Sequence, residues 1–76
     1  MAEKVLDLRG LKCPLPVLKT RKAMGSMRKG ARLWVETTDP LAAIDIPNFC
    51  RENGHGLVEM RQCDGYQRYL IERGPR

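Results

Sequence analysis

Apolar and polar residues alternate from Val5 to Arg9, with Leu6 and Leu8 on one side and Asp7 and Arg9 on the other. That period predicts a half-buried strand, ended by Gly10. From Pro14 to about Met27 the period becomes helical: Val17, Leu18, Met24 and Met27 fall on one side and Lys19, Lys22 and Ser26 elsewhere. Pro14 and Pro16 suit the first turn, whose backbone donors have no partner within the helix. Arg28 and Lys29 suit the last turn, and Gly30 is the expected stop. Arg32 to Thr37 alternates again, with Leu33 and Val35 opposite Trp34. Asp39-Pro40 opens a second helical stretch ending near Asn53-Gly54, its apolar side formed by Ile44, Ile46, Phe49 and Cys50. Pro47 leaves two readings open there: one kinked helix, or a turn followed by a shorter helix capped by Asp45. Leu57 to Cys63 and Tyr66 to Arg73 are the last two strands, and Asp64-Gly65 between them is a two-residue hairpin signal.

The order β-α-β-α-β-β over residues 1–76 predicts one α/β (α+β) domain. A chain of 76 residues buries only a thin core. This favours a two-layer sandwich, a four-stranded mixed sheet with both helices packed on one face. So thin a body has little room for an enclosed cofactor, which moves the expected chemistry to the surface.

Charge sharpens this. The net charge is +5, and no acidic residue lies between Asp7 and Glu36, whereas eight basic ones do. Such a one-sided field speeds encounter with acidic partners. The three cysteines, Cys13, Cys50 and Cys63, are an odd number without a secretory signal or an apolar span. The expectation is a cytoplasmic monomer with free thiols and no membrane association.

Cys13 carries the strongest chemical signal. Placed at the N-cap of the first helix, its sulfur would lie beside unpaired first-turn amides, chiefly those of Leu15 and Val17. The positive end of the helix dipole, Lys12, Arg9 and Lys19 would then all lower its pKa. Pro14 and Pro16 would fix it at the tip of a rigid turn, exposed to partners. By contrast, Cys50 sits on an apolar helix side and Cys63 beside a hairpin, positions that suit packing.

Leu8-Arg9-Gly10-Leu11-Lys12-Cys13-Pro14-Leu15-Pro16 resembles the signature of the TusA-like (SirA-like) sulfur-carrier family. Gly30, Asp39-Pro40, Asp45-Ile46-Pro47, Phe49-Cys50, Gly54-His55 and Tyr69 extend the likeness over nearly the whole chain. The resemblance implies the same two-layer fold and a persulfide carried on Cys13. It implies loading by a cysteine desulfurase or another persulfide donor and delivery to an acceptor protein of a sulfur relay. In some members delivery leads toward tRNA thiolation, in others toward molybdenum cofactor or sulfur oxidation. Leu15 stands between the prolines, where members tied to tRNA thiolation often have an acidic residue. Gly10, Lys12, Pro14 and Pro16 would support the site, and Arg9, Lys19 and Lys22 would dock partners with acidic rims. The relay needs no metal and no organic cofactor, and the protein would not turn over alone.

Three other readings are weighed against this one. Cys50 and His55 could approach a common metal, but a single histidine and no Cys-x-x-Cys pair make a poor ligand set. The basic stretch suits RNA, but four scattered aromatic residues make no stacking platform, so nucleic-acid affinity is expected to be weak or absent. A regulatory thiol protein would pair Cys13 with Cys50 or Cys63, a resolving partner that a carrier does not need.

Overall fold

The computed structural model describes residues 4–75. Its elements are β1 (Lys4–Leu8), α1 (Leu15–Gly25), β2 (Arg32–Thr37), α2 (Ala42–Asn53), β3 (Gly56–Cys63) and β4 (Tyr66–Glu72). The strands form one sheet in the order β1-β2-β4-β3. β1 runs parallel to β2, and the other two pairings are antiparallel, so the sheet is mixed as expected. Pairing of Leu6 with Val35, and of Val35 with Tyr69, puts one apolar row across three strands. That row meets Met24 of α1 and Ala42, Ile46, Phe49 and Cys50 of α2 in a single core.

The sheet's other face carries no helix and is covered by its own side chains. The guanidinium groups of Arg68 and Arg61 lie 4.2 and 5.6 Å from the centre of the Trp34 ring. Arg68 also approaches Glu36 at 3.2 Å. Guanidinium groups laid over an indole shield apolar surface and are attracted to the face of the ring.

α1 is shorter than its periodicity predicts, and its expected stripe holds except at Leu18: Met24 is in the core and Val17 and Met27 pack against it. Pro16, Thr20 and Met24 face the core, whereas Leu18 is half exposed. Thr20 is tolerated there because its hydroxyl donates to the Pro16 carbonyl at 2.7 Å. The helix ends at Gly25, where the amide and hydroxyl of Ser26 both turn back onto the Ala23 carbonyl. Gly30 is therefore not the helix stop, and Arg28 and Lys29 lie beyond the helix. Gly30 forms a turn instead, and its N–H donates to Arg73 at 2.9 Å.

α2 settles the question at Pro47: the helix is continuous. The carbonyl that Pro47 leaves without a donor belongs to Ala43, an exposed residue within reach of water. Asp45 caps no second start and lies in the first turn, and Ile44 is exposed on the outer side.

Candidate functional site

Beyond β1 the chain reverses at Gly10, whose φ of +88° is left-handed. A side chain would strain that backbone, so glycine is required for the turn. The Gly10 N–H donates to the Thr38 hydroxyl at 2.8 Å, tying the end of β1 to the end of β2. Cys13 is fixed next. Its own N–H donates to Asp39 Oδ2 at 2.5 Å, while Asp39 Oδ1 accepts the Leu41 N–H at 3.1 Å. One carboxylate thus links the approach to α1 with the approach to α2. The Cys13–Pro14 peptide bond is cis.

Cys13 is exposed, as the sequence predicts, but it is not the N-cap. Pro14 holds that position and makes no side-chain cap, and the Leu15 N–H is spent on the Lys12 carbonyl at 2.8 Å. The group beside the sulfur is acidic. The Asp45 carboxylate does most to raise the thiol pKa above its ordinary 9.0; reduced hydration and the charge of Asp39 add to the effect. The expected lowering does not occur. Cys13 lies outside the first turn, where the dipole and amides would act, and two carboxylates outweigh the neighbouring cations. This surrounding favours the protonated thiol over the anion.

The sulfur opens onto a surface groove of about 470 Å³, lined by Leu11, Lys12, Thr38, Asp39, Pro40 and Leu41. Of the other expected support residues, Pro14 is exposed at the helix start and Pro16 is buried beneath it. Arg9 is not a free docking cation: it pairs with Asp7 at 3.0 Å and lies 5.3 Å from the centre of the Tyr66 ring. Lys19 and Lys22 are exposed on α1. Sequence reasoning did not single out Asp39, Asp45 and Thr38 as partners of this loop. The signal was present in Asp39-Pro40 and Asp45-Ile46-Pro47, but it gave no reason to link these aspartates with a cysteine so far upstream.

The other thiols are in different settings. Cys50 is buried, which pushes its pKa to about 11. Cys63 is half-buried and lies opposite Tyr66 across the hairpin. His55 follows α2 as a loop residue, and its Nδ1 accepts the Gly74 N–H at 2.9 Å.

The family profile described as Sulfurtransferase TusA matches residues 4–73. The chain belongs to the TusA family. Two relatives from Neisseria meningitidis, of serogroups A and B, are each named "Putative sulfur carrier protein". Both are 45% identical over 72 residues, covering 95% of this chain and 97% of theirs. A Bacillus subtilis protein of the same name, YrkI, is 36% identical over 73 residues, covering 96% of this chain and 97% of its own. In fold, this TusA-family chain is similar to the crystal structure of a SirA-like protein from Desulfitobacterium hafniense. The TM-score is 0.83 at 22% identity, over 93% of this chain and 97% of the other. Among the described residues no helix is long and apolar enough to cross a membrane.

Proposed function

We propose that this TusA-family chain is a sulfur carrier that holds sulfane sulfur as a persulfide on Cys13. One observation carries the reading: Cys13 is an exposed thiol, fixed by the Asp39 carboxylate where the two helices begin. A sulfur reachable from outside, on a backbone tied down at its own amide, suits transfer between two proteins that must each touch it. The names of the curated relatives support the same reading.

In loading, Cys13 gives up its proton to solvent and the resulting thiolate attacks the outer sulfur of a donor persulfide. The new bond joins Cys13 Sγ to that sulfur, the donor's S–S bond breaks, and the donor thiolate leaves and takes up a proton. No oxidant is consumed. Delivery is the same exchange in reverse order, with an acceptor thiolate attacking the carried sulfur. A thiol of raised pKa supplies few anions, but each is more nucleophilic than one of low pKa. The donor class is a cysteine desulfurase or another persulfide enzyme, and the acceptor is a thiol protein. Lys19 and Lys22, exposed on α1, provide the long-range attraction for acidic partners.

Incubation with a cysteine desulfurase and cysteine, followed by intact-mass spectrometry, tests the proposal. The expected product is a reducible gain of one sulfur atom, kept in Cys50→Ala and Cys63→Ala and lost in Cys13→Ala. An unchanged gain in Cys13→Ala would refute it.

A further inference from the structure

Both helices begin near Cys13 and end on a second cavity, of about 240 Å³. Its floor is apolar, formed by the buried Met24 of α1 and Phe49 of α2. Its rim carries Arg21 of α1, His55 and, after β4, Arg73, and among the described residues no carboxylate lines it. The carbonyl groups at helix ends ordinarily make such a place negative. Here those nearby are already engaged. The Cys50 carbonyl accepts the N–H groups of Gly54 and His55, that of Phe49 accepts the Asn53 side-chain amide at 3.0 Å, and that of Met27 accepts Arg73 Nε at 3.1 Å. Donors are in surplus instead. Arg21 pairs with no carboxylate among the described residues and lies 6.0 Å from the centre of the Phe49 ring. His55 Nδ1 accepts the Gly74 N–H, so the neutral ring carries its proton on Nε2. The field is positive as well: the charge of Arg73 adds to burial in holding the His55 pKa below its ordinary 6.5.

We propose that this cavity binds a small anion with an apolar body, an aryl or alkyl carboxylate or phosphate, whose charged head meets Arg21 and His55 and whose body lies on Phe49 and Met24. A guanidinium fork matches the paired oxygens of either head group. Arg73, held by the carbonyl groups of Met27 and Gly74, adds positive charge in a fixed place. The volume falls below the range of about 300–1,000 Å³ usual for small-molecule sites, so the ligand is of single-ring size. The site lies at the opposite ends of both helices from the Cys13 groove and shares no residue with it. It is therefore independent of the carrier reading. An anion beside His55 stabilises the imidazolium, so binding should raise the pKa that Arg73 and burial now hold down.

The probes are phenyl phosphate, benzoate, inorganic phosphate and neutral benzyl alcohol, titrated into the full chain at constant ionic strength. Amide and imidazole NMR signals provide the readout. Phenyl phosphate or benzoate is expected to give saturable shifts at the amides of Gly25, His55 and Gly74, with those of Cys13 and Leu41 unmoved. The tighter of the two identifies the head group. The tighter aryl anion should bind several-fold more strongly than inorganic phosphate, because only it uses the apolar floor, and should raise the His55 titration midpoint. Arg21→Gln should weaken it roughly tenfold, the worth of one charged hydrogen bond. Lys29→Gln removes the same charge from an exposed site outside the cavity and should leave binding unchanged. The rise at His55 is read in the parent chain and needs no variant. Shifts spread over the basic surface without saturation would overturn the proposal. So would equal binding of benzyl alcohol, an unmoved His55 midpoint, or equal losses in Arg21→Gln and Lys29→Gln.

Discussion

The Asp45 carboxylate, on the first turn of the other helix, is the chief group that raises the Cys13 thiol pKa. It favours the protonated thiol by providing an acceptor for its proton and by opposing a second negative charge. In Asp45→Asn the charge is gone. The pH midpoint for alkylation of Cys13 by iodoacetamide should fall, and the rate at pH 7 should rise several-fold. An unchanged midpoint would remove Asp45 from the description of the site.

Asp39 has a different part, since both its oxygens accept backbone N–H groups from separate segments. Charge-assisted bonds to backbone donors are worth about 1.5–3 kcal/mol. Asp39→Ala should therefore lower the urea midpoint and, more specifically, speed amide exchange at Cys13 and Leu41. Loss of stability without faster exchange at these two amides would show that the bracket is not what holds the loop.

The sequence shows this arrangement only in part. Strand positions are legible because alternation is strict: Leu33, Val35 and Trp34 fall on the faces that their spacing predicts. The α1 stripe is misread at one position, because hydrophobicity favours Leu18 over Thr20. The structure buries Thr20, whose hydroxyl is satisfied by Pro16 within its own helix, and leaves Leu18 half exposed. Cys13 itself stands out in the sequence through the prolines around it. Its electrostatics do not, because the deciding carboxylates come from another segment, and local sequence shows only the nearby cations. A one-residue displacement of the cap, from Cys13 to Pro14, also removes the helix dipole from the sulfur.

Gly74 is a packing requirement. A Cβ built there would lie 1.8 Å from the Gly54 carbonyl oxygen, where α2 ends. Gly74→Ala should destabilise the fold by about 1–3 kcal/mol, measured by chemical denaturation, because backbone must move to admit the methyl group. A variant as stable as the parent would contradict this packing.

His55 supplies a pH dependence of known sign. Burial first, and then the nearby Arg73, hold its pKa below the ordinary 6.5, and its Nδ1 is used as an acceptor from Gly74. A histidine of depressed pKa contributes stability that is present above 6.5 and is lost as pH falls through its folded value. The Tm should therefore decline below pH 6.5, and His55→Gln should flatten that decline. An equal slope in both proteins would assign the pH dependence to other groups.

Burial at Cys50 and exposure at Cys13 make opposite forecasts for one reagent. In the native protein iodoacetamide should label Cys13 and spare Cys50, whose pKa of about 11 and lack of access both suppress the anion. Peptide mapping after brief labelling checks this, and comparable labelling of the two would contradict the packing of α2.

The most direct test of the carrier claim is to find the carried sulfur itself. After loading by a cysteine desulfurase, the persulfide is trapped with an alkylating agent, and the digested protein is sequenced by tandem mass spectrometry. A persulfide adduct on the peptide containing Cys13, absent from those of Cys50 and Cys63, is the predicted result. An adduct confined to Cys63, or a fully loaded protein with Cys13 unmodified, would contradict it.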